Sequence, residues 1–175
     1  MISLARSLGD LFDEFTCEAF RLETLSDYSG SGNTDAYRAF MDGQVQPENY
    51  NAEWLAEVRT HVAAGKRLYR VHLLTRPLTP YLRFELGWGY VANAMAGEEF
   101  YILDVTDRPN PLPEGVHDFW LFDSVVPAPM RYAEGGTFAG AEILPRARAA
   151  EFVAYRDTAL AHAVPFADWW TKHGK

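Results

Sequence analysis

RLYRVHLLTRPLTPYLRFELGWGYVANAMAG, residues 67–97, is the stretch on which the reading of this chain turns. Its first nine residues, RLYRVHLLT, alternate as a β-strand does. Tyr69, Val71, Leu73 and Thr75 form an almost wholly apolar face that belongs in a core. Leu68, Arg70, His72 and Leu74 form the other face, so Arg70 and His72 lie side by side. Thr79-Pro80 is a helix start, with Thr as N-cap and Pro at the first helical position. The helix runs to about Ala96 and stops at Gly97. Tyr81, Glu85 and Trp88 share one of its faces, while Arg83 points elsewhere. Gly87 and Gly89 each weaken a helix by roughly 1 kcal/mol relative to Ala, which implies close packing or a bend.

The same stretch sets Arg70, His72, Tyr81, Arg83 and Glu85 in an otherwise apolar run. Polar groups in apolar elements need partners, or they cost stability. A functional site satisfies that need, and so does an internal ion-pair network.

Outward from this core, residues 3–15 carry Leu4, Leu8, Leu11, Phe12 and Phe15 at helical spacing, interrupted by Gly9. AFRLETL (19–25) reads as a strand or extended segment, DYSGSGNTDA as an exposed loop, and 37–41 as a brief helical turn. Asn51 is the N-cap of a helix over 52–64 that ends at Gly65. Downstream come strands over 100–105 and 118–123, a hairpin around Gly135-Gly136, and an amphipathic helix over 146–163. Pro165 breaks that helix, and FADWW closes the chain as an aromatic turn.

The predicted fold is α/β or α+β. It has a mixed, mostly antiparallel sheet with one βαβ crossover and flanking helices. Residues 1–50 are expected to form an N-terminal extension of helix and loops packed on a single α/β domain over 51–175. The layout is distantly phospholipase D-like. The His-x-Lys pair of that chemistry is missing, because His72 is followed by Leu73 and Leu74.

The chain has 175 residues, is 48% hydrophobic and carries a net charge of −8, composition enough for a sizeable core. An acidic chain with three lysines, Lys66, Lys172 and Lys175, has no basic stripe for nucleic acid and no attraction to an anionic membrane surface. One cysteine, Cys17, excludes an internal disulfide and fits a cytoplasmic location. No segment reads as a signal peptide or a membrane span.

Phosphate loops, dinucleotide glycine fingerprints, HExxH and nucleophile elbows are absent from the sequence. The five histidines show no zinc-pair spacing, and neither metal nor cofactor is expected. The candidates are therefore the polar cluster. If the protein is an enzyme, His72, Glu85 and Asp123 are its acid–base residues. Arg70, Tyr81, Arg83, Asp118 and Trp120 are the ligand-binding candidates, with Arg as a carboxylate or phosphate clamp. The alternative is a structural ion-pair network of the same residues.

The segments FRLETL (20–25), NAEWLAEVR (51–59), RVHLLTRPLTPYLRFEL (70–86), AGEEFYILD (96–104), DFWLFD (118–123) and YRDTALAHAVPFADW (155–169) resemble a family of small actinobacterial proteins of unknown function. Members of that family are typically encoded near helix-turn-helix regulators. The tracts GWGYVANA and SVVPAPM depart from its pattern. The resemblance implies a regulatory or accessory protein that binds a partner, such as a transcriptional regulator, or a small polar ligand. A small enzyme of natural-product metabolism is the alternative. A homodimer anchored by Trp169 and Trp170 is a further expectation.

Overall fold

A computed structural model describes residues 6–174. Residues 3–5 of the helix expected over 3–15 lie outside them. The rest of that prediction is α1 (Leu8–Glu14), opened by a capping box between Ser7 and Asp10.

The described chain is α+β, built on one seven-stranded mixed sheet with helices on both sides. The strands are β1 (Glu18–Glu23), β2 (Arg67–Leu74), β3 (Glu99–Asp104), β4 (Phe119–Phe122), β5 (Val126–Ala133), β6 (Thr137–Ala141) and β7 (Val164–Pro165). Their order across the sheet is β6-β5-β4-β1-β2-β3-β7. β1, β2 and β3 run parallel to one another; the other four pairings are antiparallel. The crossover foreseen between β2 and β3 is present. A second joins β1 to β2 through α2 (Thr34–Met41) and α3 (Ala52–Ala63). AFRLETL thus supplies the middle strand of the sheet.

Both faces of the central strands are covered. Phe20, Leu22, Tyr69, Val71, Leu103, Phe119 and Leu121 point to one side, where α6 (Ala149–His162) packs with Phe152 and Ala159. The opposite side lies under α1, α3 and the long helix after β2. A side chain there is enclosed even when it is polar, which is the condition that makes Arg70 and His72 informative.

That long helix has three parts: α4 (Pro80–Phe84), a π-helical segment Glu85–Tyr90, and α5 (Val91–Ala96). Thr79 caps it as read, its hydroxyl accepting from Leu82 N at 3.1 Å. The bend implied by Gly87 and Gly89 is the π-helical segment, a wider turn often found at functional sites.

Two local readings are corrected. Asn51 precedes α3, but its side chain caps no backbone group; it sits in the left-handed region and donates its amide to Asn93 at 3.0 Å. FADWW is not a turn but the start of helix α7 (Phe166–His173), which Pro165 introduces and whose first turn carries Asp168. Trp169 is buried there and donates to Asp104 at 3.0 Å. No helix of the described residues is long and apolar enough to cross a membrane.

Candidate functional site

Register builds the site. In the β1–β2 pair Arg21 stands opposite Arg70, and Glu23 opposite His72. Period-two alternation puts all four on the same, helix-covered face. Two neighbouring guanidiniums repel unless anions are interleaved, and three carboxylates do this. Glu23 Oε1 accepts from Arg70 Nη1 at 2.9 Å and lies 3.8 Å from Arg21 Nε. Asp118, just before β4, takes Arg21 Nη2 at 2.8 Å. Glu98, just after the helix-ending Gly97, takes Arg70 Nε at 2.5 Å. Further donors complete the hydrogen bonding of Asp118 and Glu98. Tyr28 and Thr24 hydroxyls donate to Asp118 at 2.6 Å each, and Trp54 Nε1 donates to Glu98 at 2.9 Å.

His72 is completely buried at the end of this array. Its Nε2 lies 2.9 Å from Leu25 O, a pure acceptor, so Nε2 carries a proton. Its Nδ1 lies 3.0 Å from the Tyr90 hydroxyl, whose own proton goes to Glu23 Oε2. Glu23 Oε2 and Glu85 Oε2 are 3.4 and 3.6 Å from the same nitrogen. Surrounded by oxygens, Nδ1 is also protonated, and the ring is an imidazolium. Burial alone would lower its pKa. The hydrogen bond to Glu23, then the charges of Glu85 and Glu23, outweigh burial and raise it to about 9. Glu85 moves the other way from an ordinary carboxylate: burial, then the charge of Glu23, push it up to about 8. Glu23 stays ionised. Arg70 first, then His72 and Arg21, overcome its burial and hold its pKa well below the usual range.

At Arg70 and Glu85 the array borders a cleft of about 330 Å³ between α1, α3 and the π-helical segment. Arg70 and Glu85 are its charged lining; Tyr50, Trp54, Tyr81 and Trp120 are its aromatic walls. Glu85 is 15% exposed on its side chain, yet its Oε2 is buried and hydrogen-bonds to nothing among the described residues. Arg70 uses Nε and Nη1 within the protein, and its Nη2 makes no hydrogen bond there. A Cβ on Gly89 would stand 3.4 Å from the Tyr50 hydroxyl and 4.0 Å from Glu85 Cγ, so glycine keeps this corner open.

The sequence candidates divide. Arg70, Tyr81, Glu85 and Trp120 line the cleft, and His72 lies directly behind it. Asp118 is in the network but not in the cleft; its role is to neutralise Arg21. Arg83 lies in another depression, with Trp88 and Trp170. Asp123 sits at the opposite end of β1, roughly 17 Å along the strand. There its carboxylate accepts from the backbone N–H groups of Thr16, Cys17 and Glu18 at 2.7 to 3.0 Å. Sequence reasoning missed Arg21, Glu23, Glu98, Tyr90 and Trp54. Arg21 and Glu23 repeat the i, i+2 polar pair of β2, a signal that was available; nothing local marks the others.

One ligand atom each from Glu23, His72 and Glu85 lie within 4.8 Å of one another, a spacing a divalent cation could accept. The surroundings oppose it. Glu23 is already held by Arg70 and Tyr90, and a cation would face two guanidiniums and displace the Nδ1 proton. The trio fits shared protons better than a metal.

Fold and site together define an α+β domain whose enclosed polar sheet face opens through an aromatic-walled cleft. The chain belongs to the family described as a domain of unknown function (DUF6879), which it matches over residues 6–171. No curated protein matches it.

Proposed function

We propose that this protein binds a small polar molecule in the cleft above Arg70 and Glu85, and that it serves a regulatory or accessory role through that ligand. The observation that carries the reading is the Glu85 carboxyl group, which lines the cleft with neither oxygen hydrogen-bonded among the described residues. A buried unsatisfied polar atom costs about 1–3 kcal/mol, and a ligand group that pairs with it recovers that cost. The aromatic walls supply apolar contact, as in most small-molecule sites. An actinobacterial cytoplasmic setting near a helix-turn-helix regulator belongs to this proposal, with the regulator as the partner that reads the liganded state. The net charge of −8 suits attraction to a basic partner.

The test is native mass spectrometry of the full chain after incubation with a metabolite extract of its host. Wild type should retain a small molecule that Gly89→Val, whose side chain fills the Glu85 corner, does not. A wild-type protein that retains nothing, and whose melting temperature the extract leaves unchanged, would remove the proposal. An acid–base enzyme is the second reading. Glu85, with its pKa about 8, is protonated at neutral pH and could act as a general acid beside His72. Chemical conversion of the retained molecule, lost in Glu85→Gln, would select it.

A further inference from the structure

We propose that the ligand of this cleft is a free α-amino acid with an apolar or aromatic side chain, bound through both of its charged ends. This rests on the cleft being the binding site and adds the chemical class. Two charged residues line the cleft, and each keeps an atom with no partner among the described residues. Glu85 Oε1, the oxygen of that carboxyl group that is not enclosed, can take an ammonium, and Arg70 Nη2 can donate to a carboxylate. The two groups have opposite polarity on one floor, which matches a zwitterion and mismatches a dianion or a simple cation.

The rest of the protein supports this division of labour. Arg70 is anchored by Glu23 and Glu98 and lies over Trp54 and Trp120 at 5.5 and 5.2 Å from the ring centres, so its guanidinium is held in place rather than swinging. A pre-set Arg is a better carboxylate clamp than a mobile one. Glu85 is held on the π-helical segment against buried His72, which fixes where its free oxygen stands. Burial and Glu23 keep Glu85 protonated at neutral pH in the empty cleft; an ammonium docked beside it, added to the cation of His72, favours loss of that proton and formation of the ion pair. Above the charged floor, the free volume is bounded by Tyr50, Trp54, Tyr81 and Trp120. A cleft of about 330 Å³ is at the small end for ligand pockets, which suits a single amino acid and not a peptide or a nucleotide. Tyr50 and Tyr81 also bring hydroxyl groups to the wall, which can donate to a ligand.

Isothermal titration of the full chain with phenylalanine, tryptophan, leucine and lysine tests this, each compared with its N-acetyl and its carboxamide derivative. A free apolar or aromatic amino acid should bind. Blocking either end should weaken binding by about tenfold to a hundredfold, the loss of one charge-assisted hydrogen bond. Lysine should bind worse than leucine. Because the chemistry is removed from the ligand, the result does not depend on whether an Arg70 variant folds. In the folded Glu85→Gln variant the penalty for N-acetylation should shrink. Equal binding of blocked and free amino acids would overturn the inference. So would a lack of binding of all four up to about 1 mM while another metabolite is retained; that second outcome leaves the small-molecule reading standing.

Discussion

His72 Nδ1 stands 3.6 Å from Glu85 Oε2, the buried carboxylate oxygen that nothing among the described residues hydrogen-bonds. The pair joins the network beneath the sheet's cover to the cleft above it. On its network side His72 is tied to Tyr90, to the Leu25 carbonyl and to Glu23. Glu85 and Tyr90 both line the cleft and stand between it and His72. A proton or a charge arriving at Glu85 is therefore felt by the network, and the two residues titrate together.

Glu85→Gln should flatten the decline of stability with pH. The Glu85 pKa, about 8 in the folded protein, lies above its ordinary value of 4.5. Folding therefore holds that proton more tightly, and the associated stability is present below pH 4.5 and lost as pH rises towards 8. Gln cannot ionise. Thermal denaturation should show the variant matching wild type near pH 5 and exceeding it near pH 8 by about 1–3 kcal/mol. A variant less stable than wild type at the higher pH would contradict the assignment.

His72→Leu should be costly, and most costly at low pH. The folded His72 pKa of about 9 exceeds 6.5, so its contribution is complete below pH 6.5 and disappears as pH rises through 9. Removing it also strands the Leu25 carbonyl and leaves Glu23 without a cationic neighbour on that side. Chemical denaturation near pH 6 should show a loss of about 3–5 kcal/mol, the usual cost of breaking one side of a buried charge pair. The gap between variant and wild type should narrow by pH 9; a gap that widens would refute the imidazolium.

Arg21 and Asp118 should behave as one unit. Their side chains are 4% and 2% exposed and meet at 2.8 Å. Arg21→Met or Asp118→Leu alone leaves a buried charge unpaired, at about 3–5 kcal/mol each. The double variant should lose less than the two single losses added together, by at least about 1 kcal/mol. Strict additivity in urea denaturation would mean that the pair is not coupled.

The strand and helix of residues 67–97 were legible because their signals are local. Alternation marks β2, Thr79-Pro80 marks the helix start, and the two glycines mark the place where the helix widens. The same alternation put Arg70 and His72 on one face. Their main partners were not legible, because Glu23 and Arg21 meet them through the β1–β2 register, across a separation of 49 residues between the members of each pair. Register follows from how both faces bury, and a six-residue strand does not announce its neighbour. Glu98 was hidden for a related reason: it follows Gly97 and reads as a turn residue, yet the turn delivers it under Arg70. Asn51 misled because its left-handed backbone and its bond to Asn93 overrode an ordinary capping preference.

Asp123 offers the sharpest contrast with the cleft. Both it and Glu85 were candidates for acid–base work, and both are carboxylates beside the central strand. Glu85 has an unpaired oxygen, whereas both oxygens of Asp123 are occupied by backbone N–H groups ahead of β1. Asp123 also takes φ 51° in the turn between β4 and β5, a conformation that Asp and Asn tolerate better than most residues. Asp123→Asn keeps the turn and removes one of the accepting oxygens. It should cost about 1–2 kcal/mol at neutral pH and leave ligand binding in the cleft unchanged. The sign with pH is opposite to that of Glu85. Burial raises the Asp123 pKa, but the backbone donors of Cys17, Glu18 and Thr16 together hold it below 3.8. Its contribution is therefore present above pH 3.8 and lost as pH falls further, so the deficit of the variant should close in acid. Paired denaturation curves at neutral and acid pH, with a binding titration of the same variant, separate the roles: a weakened ligand would move Asp123 back into the site, and an unchanged stability would remove it from the fold's supports.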